Sequence, residues 1–351
     1  MDKPVTLLGL ATAVPPHILK QSDVVERARS IFAGRMPAFE RLAQVFETAG
    51  IDTRQAVRPI DWYEQPRGWP ERTQAYLDGA CTLFRSAALA ALEKANCRPC
   101  DVDIVVTVSS TGIATPSLEA RVADELGLRP DVARVPVFGL GCAGGVTGLA
   151  LAARLARAEP GRTVLMVTVE LCTLSFRGDA PTKANIVATA LFGDGAAAAV
   201  LRADGKPGPL TVRGAGEHRW PDTLGIMGWD IEDEGLGVIF DRSIPPFAEE
   251  NIGPAVDGIL RRLDGQRRDI GRFVCHPGGA KVIEALETGL ALGQGRLVEE
   301  REVLRAHGNM SAPTVLFVLE RCIAAGLPAR SLVTAMGPGF TASAAILDRA
   351  A

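Results

Sequence analysis

Histidine and aromatic residues are scarce in this 351-residue chain: there are four histidines, and Phe, Trp and Tyr together make up 5%. With so few imidazoles, each one is worth placing, because histidine is the side chain that titrates near neutral pH. A large charge of either sign is also missing. The formal net charge is −3, which gives no reason to expect nucleic acid as a partner, although a local basic patch can still serve an anionic ligand. No apolar run reaches the ~18 residues of a membrane-spanning helix; Arg, Glu, Asp or Gly interrupts each one. The segment Met1-Asp2-Lys3-Pro4 lacks the charged-then-apolar pattern of a secretory signal. The seven cysteines are odd in number and scattered, so no disulfide framework is expected and a reduced, cytoplasmic setting is. Only Cys97 and Cys100 have a CxxC spacing, with no second pair or nearby histidine, so no metal site is expected.

What is present is a core. Hydrophobic residues make up 47% and charged residues 23%, and the length suits two domains or one large fused unit. Apolar runs at 5–13, 103–109, 135–138, 163–169 and 196–201 are predicted strands. They alternate with predicted helices over 22–49, 73–96, 117–126 (ending at Gly127) and 143–158. This alternation predicts an α/β fold with a covered sheet. Residues 202–209 form a Gly/Pro-rich break, the expected boundary between halves 1–205 and 206–351. After it the alternation resumes, with helices over 247–263, 280–289 and 311–325 and strands over 272–276, 332–336 and 341–347.

Within this pattern Cys142 follows an apolar extended run and a glycine turn, Gly139-Leu140-Gly141, and opens a small-residue helix. A helix N-terminus favours thiolate over thiol, so the position suits a nucleophile. A cysteine nucleophile needs a group to take its proton and donors for developing negative charge. His276 lies at a strand end in His276-Pro277-Gly278-Gly279, before a helix, and Asn309 lies in Gly308-Asn309-Met310-Ser311, also before a helix. Side chains at the carboxyl ends of strands face the crevice where α/β folds place their sites. Singly, these residues can be an inert core thiol, a turn and a helix cap; their recurrence at three junctions points to one site.

Two other patterns compete. Gly139-x-Gly141-x-x-Gly144 has the form of a dinucleotide fingerprint, with Glu170 ending the next strand. It sits in mid-chain, however, and leaves His276 and Asn309 without a role. A papain-like protease also uses Cys, His and Asn, but the signature around its cysteine is absent.

At these residues the chain resembles the thiolase superfamily, and within it the type III polyketide synthases of the chalcone synthase kind. The matching segments are Leu140-Gly-Cys142-Ala-Gly-Gly, Phe176-Arg-Gly, Phe192-Gly-Asp-Gly, His276-Pro-Gly-Gly279, Gly308-Asn309-Met-Ser and Gly337-Pro338-Gly-Phe340, in family order from about residue 100 to the end. The resemblance implies a duplicated, five-layered αβαβα fold and a homodimer. It implies a site between the halves and no resident cofactor, with acyl-CoA and malonyl-CoA as substrates. Cys142 would carry the acyl group as a thioester; His276 would pair with its thiolate and, with Asn309, receive the thioester oxygen of malonyl-CoA. Phe192 would stand where the access tunnel meets the cavity, with Val238 near the second gate position and Phe240 two residues on. Thr111, Gly337 and Pro338 would line the cavity, and Arg54 and Arg58 are the nearest candidates for coenzyme A contacts. Thr115 stands where the plant enzymes carry a methionine that reaches across the dimer.

Cys172 and Ser175 replace threonines of the plant enzymes, and Glu170-Leu171-Cys172 resembles bacterial enzymes that use long acyl starters. A fatty acyl starter and an alkylpyrone, alkylresorcinol or alkylresorcylic acid product are therefore expected. The alternatives are a ketoacyl synthase III-like enzyme that stops after one condensation, an aryl-CoA-using chalcone synthase-like enzyme, and a non-catalytic binding protein of the same fold.

Overall fold

A computed structural model describes residues 4–205 and 208–350. Lys206 and Pro207 of the expected interdomain break lie outside the described residues, as do Met1–Lys3 and Ala351. The first half contains β1 (Val5–Ala13), β2 (His17–Lys20), α1 (Gln21–Phe32), α2 (Phe39–Thr48), β3 (Thr53–Ala56), α3 (Trp69–Lys94), β4 (Ile104–Val108), α4 (Leu118–Leu126), β5 (Ala133–Val137), α5 (Gly144–Ala158), β6 (Thr163–Leu171), α6 (Lys183–Leu191) and β7 (Asp194–Arg202). The second contains β8 (Leu210–Arg219), β9 (Met227–Glu232), β10 (Gly235–Phe240), α7 (Ile244–Arg262), β11 (Arg272–Cys275), α8 (Ala280–Gly289), α9 (Val298–His307), α10 (Thr314–Ala325), β12 (Arg330–Gly337) and β13 (Thr341–Arg349).

Nine strands form one sheet in the order β11-β12-β13-β8-β1-β7-β6-β4-β5. The halves repeat a plan: parallel strands lie outside (β5-β4-β6 and β11-β12), and antiparallel strands lie toward the centre. Within the sheet the two half-sheets are joined where Val5 and Thr6 of β1 pair with Val212 and Thr211 of β8. Helix α3 covers the outer face of β1, β6 and β7, while α7 covers β8 and β13. Between the half-sheets lie α5 and α10, which touch strands of both. The result is the expected five-layered αβαβα arrangement.

Composition explains this layering. Strands β6 and β7 are buried almost throughout, as strands covered on both faces must be. Helix α5 can lie in the middle because its first turns carry three glycines, Gly144, Gly145 and Gly148. A Cβ on Gly145 would lie 2.3 Å from the Ala312 carbonyl oxygen, so only glycine allows that approach.

The single helix predicted over 22–49 is two, α1 and α2, with Gly34 and Pro37 between them; proline cannot continue a helix interior. The antiparallel β2–β3 pair, the β9–β10 hairpin, β8, α6 and α9 are additions to the expected elements. No helix among the described residues is long and apolar enough to cross a membrane.

Candidate active site

The chain leaves β5, passes through Gly139 and makes a single 3-10 turn, Gly141–Ala143, before α5 begins. Gly141 has φ +47°, and a Cβ there would lie 2.6 Å from Pro338 Cδ. Gly337 is equally tight: its Cβ would lie 2.6 Å from the Leu140 carbonyl oxygen. The Gly337-Pro338 loop therefore clamps the turn that presents Cys142, which is 7% exposed. The Gly141 N–H donates to Ser110 Oγ at 3.2 Å, holding the turn from the other side.

His276 continues β11, its N–H bonded to the Thr334 carbonyl at 2.9 Å. The ring is buried, and neither nitrogen has a hydrogen-bond partner among the described residues. Asn309 follows Gly308, whose φ is +66°. Asn309 Oδ1 accepts the Ser311 N–H at 2.8 Å, and Nδ2 donates to the Gly278 carbonyl at 3.1 Å. This network fixes which end of the carboxamide is oxygen and leaves one amide hydrogen uncommitted. Cys142 Sγ lies 3.9 Å from Asn309 Oδ1. Cys142, His276 and Asn309 line one cavity, closed by Met227, Phe240 and Val282 among others. The three residues thus converge.

Burial dominates the electrostatics. It pushes the Cys142 thiol up to about 11, against a hydrogen bond from Ser311 that pulls it down. It pulls His276 down to about 3. No hydrogen bond joins sulfur to imidazole, so the expected thiolate–imidazolium contact is not formed in this state.

A second chamber shares Cys142, Met227, Phe240 and Asn309 with the first and adds Cys172, Phe192, Trp229, Val238 and Pro338. Val238, Ile239 and Phe240 of β10 all line it, so both gate candidates face the chamber. Cys172 and Phe192 also line a third cavity, of about 60 Å³, which runs toward α1 between Leu19, Val24, Ala28, Ile31, Ile60 and Phe176. Ser175 faces this third cavity, its hydroxyl donating to the Cys172 carbonyl at 2.7 Å.

Four expected site residues lie elsewhere. Thr111 does not line the chambers; its hydroxyl donates to Glu170 at 2.8 Å and accepts the Leu171 N–H at 2.8 Å. Gly337 packs behind the nucleophile turn instead of facing the cavity. Arg54 is 2% exposed, which removes it from any solvent-borne phosphate. Its Nη1 donates to the carbonyls of Thr189 at 2.6 Å and Phe192 at 3.3 Å. Arg58 is partly exposed and pairs with Asp78 at 3.0 Å.

Sequence reading left two buried carboxyl groups without a role. Glu170, at the end of β6, accepts the Ser110 N–H and the Thr111 hydroxyl, and burial raises it to about 8. Asp194, at the start of β7, accepts from the Val57 and Thr173 N–H groups and the Thr173 hydroxyl, and burial raises it to about 7. Acidic residues at both ends of otherwise apolar strands were the available signal. Met227 and Trp229 were also missed, because β9 lacks a run of apolar residues.

The N-terminal domain model of chalcone and stilbene synthases matches residues 2–205, and the C-terminal domain model matches residues 212–349. A 1,3,6,8-tetrahydroxynaphthalene synthase of Streptomyces peucetius subsp. caesius is 37% identical over 99% of this chain and 94% of its own. An alpha-pyrone synthesis polyketide synthase-like protein of Mycobacterium tuberculosis is 29% identical over 97% and 90%. The crystal structure of 1,3,6,8-tetrahydroxynaphthalene synthase from Streptomyces coelicolor A3(2) superposes with TM-score 0.93 at 27% identity, covering 99% of both chains.

Proposed function

The chain belongs to the chalcone and stilbene synthase family, and from that premise, which makes it a type III polyketide synthase, we propose that it extends a fatty acyl-CoA starter with malonyl-CoA. The proposed product is an alkylpyrone, alkylresorcinol or alkylresorcylic acid. Cys142 loses its proton and attacks the starter thioester; the C–S bond to coenzyme A breaks, and CoA leaves with the proton. Malonyl-CoA then places its thioester oxygen toward His276 and the free amide hydrogen of Asn309. The bond to its carboxylate breaks, CO2 leaves, and the electron pair becomes an enolate held by those two donors. The enolate carbon attacks the acyl-Cys142 carbonyl, the C–S bond breaks, and the chain, two carbons longer, leaves on coenzyme A. Removing one donor of this kind typically costs ~10²–10³ in rate.

The observation that carries the starter assignment is the apolar cavity reached past Cys172 and Phe192. Each methylene buried there contributes roughly 0.8 kcal/mol, so an apolar opening at this point favours an alkyl starter over a polar one. No metal or resident cofactor is needed in this scheme. A homodimer is also proposed, with Ile113 and Phe138, 61% and 60% exposed beside the edge strand β5, covered by a second copy.

A second reading is favoured by the Streptomyces peucetius relative: formation of a tetrahydroxynaphthalene. One experiment separates the two. Purified protein is given malonyl-CoA with acyl-CoAs from C2 to C18 or with coumaroyl-CoA, and products are identified by mass spectrometry. Pyrones or resorcinols bearing the long alkyl chain support the proposal. A naphthalene made from malonyl-CoA alone, products stopping after one extension, or efficient use of coumaroyl-CoA with C8–C18 esters ignored would each overturn it.

A further inference from the structure

Arg54 is buried with the Asp194 carboxyl as its charged neighbour, but its hydrogen bonds go to backbone carbonyls and show what it holds. Its Nη1 takes the carbonyls of Thr189 and Phe192, at the C-terminal end of α6. A helix C-terminus carries partial negative charge and unsatisfied carbonyls, so a guanidinium there acts as a cap. The same end of α6 is bonded to the active site. Asn309 N–H donates to the Leu191 carbonyl at 2.8 Å, and Gly193 N–H donates to the Asn309 carbonyl at 3.0 Å. Phe192 and Asn309 thus form an isolated parallel bridge.

The two segments are pressed together over the Arg54 stem. A Cβ on Gly193 would lie 2.3 Å from the His307 carbonyl oxygen and 3.2 Å from Arg54 Cβ. A Cβ on Gly308 would lie 2.7 Å from the Leu191 carbonyl oxygen and 3.5 Å from Arg54 Cβ. Nothing else among the described side chains caps the Phe192 carbonyl. We propose that Arg54 is a positioning residue for decarboxylation: from inside the protein it fixes the end of α6, and that end sets the backbone of Asn309 and the ring of Phe192. Cys142 sits on a different element, the turn before α5, which is held by Ser110 and the Gly337-Pro338 loop and not by this clamp.

The inference rests on the proposed chemistry and predicts a split between two steps. Arg54→Lys keeps a cation that reaches one carbonyl, and Arg54→Met keeps the stem without the charge. Three quantities are measured: thermal unfolding, acyl loading of Cys142 by intact-protein mass spectrometry, and malonyl-CoA decarboxylation with its kcat and KM. Arg54 also borders the cavity assigned to long starters, so loading is read with a two-carbon starter that does not enter it, and is expected within about twofold of wild type in both variants. The kcat for decarboxylation should fall on the order of tenfold in Arg54→Lys and further in Arg54→Met, consistent with a misplaced oxyanion donor. If Arg54→Met does not fold, the split in Arg54→Lys alone decides. A raised KM for both CoA esters at unchanged kcat would make Arg54 a coenzyme A contact and overturn the proposal. Loading and decarboxylation falling together, or neither changing, would also overturn it. Failure of the wild-type protein itself to decarboxylate malonyl-CoA would instead refute the underlying function.

Discussion

Asn309 Oδ1 lies 3.9 Å from the sulfur of Cys142, while the nitrogen of the same carboxamide bonds the Gly278 carbonyl, two residues past His276. One side chain from the second half therefore links the nucleophile of the first half to the loop that carries the imidazole. The link passes through a cavity in which burial alone disfavours either charge of a thiolate–imidazolium pair. Proton transfer from sulfur to ring creates both charges together, and each then offsets the desolvation of the other.

Beside a neutral His276 ring, burial holds the Cys142 thiol up at about 11, and His276→Gln removes the only described partner placed to take its proton and offset that cost. Thiolate then forms only as pH rises, so alkylation of the variant by iodoacetamide should climb about tenfold per pH unit from pH 7 upward. The wild-type protein should react with its midpoint well below the variant's, and at pH 7 on the order of 10²-fold faster. Superimposable pH profiles for the two proteins would show that His276 does not hold the thiolate.

Much of this arrangement is visible in the sequence because chemistry and punctuation coincide. Cys142, His276 and Asn309 each sit where an apolar run or helix meets a glycine, and such junctions lie at one edge of an α/β layer. The helix break at Gly34 and Pro37 was equally visible, and only the apolar spacing on either side masked it. What stayed hidden depends on distant pairing. Nothing local to Thr111 indicates that Glu170 will take its hydroxyl, and an arginine four residues before Arg58 gives no sign that it will be enclosed. The cavity-lining pair Met227 and Trp229 belongs to a hairpin with polar residues on its other face, whose apolar face acquires meaning only against Phe192, 6.0 Å from Trp229 between ring centroids.

Glu170 makes stability depend on pH in a direction opposite to an ordinary paired carboxylate. Its folded pKa, about 8, lies above the ordinary value of ~4.3. Its contribution to stability is fully present below ~4 and is lost as pH rises toward about 8, because the fold retains a proton that the unfolded chain has released. Asp194, raised to about 7, acts with the same sign. Glu170→Gln keeps an oxygen for the Ser110 N–H and has no proton to lose. Urea midpoints measured from pH 5 to 8 should therefore fall less steeply in the variant, with Asp194 maintaining part of the slope. Equal slopes would mean that Glu170 is ionised within the fold.

Chain-length selection should depend on Cys172, which is 1% exposed and lines both the catalytic chamber and the apolar cavity toward α1. In the wild-type protein each added methylene gains roughly 0.8 kcal/mol, or about fourfold in kcat/KM, until the cavity is filled. Cys172→Phe puts a ring where the two chambers meet. The cost to stability should be about 1–3 kcal/mol from overpacking, readable as a lowered melting temperature in a protein that still folds. Short starters of two to four carbons need no room beyond Cys172 and should retain most of their kcat/KM. For longer starters the fourfold gain per carbon should disappear, so C12 to C18 esters lose on the order of 10²-fold or more relative to the wild type. Cys172→Ala, which leaves the opening clear, should keep the wild-type dependence on length. If Cys172→Phe used palmitoyl-CoA as well as the wild type does, the acyl chain would follow another route, and the cavity beneath α1 would have no part in choosing the starter.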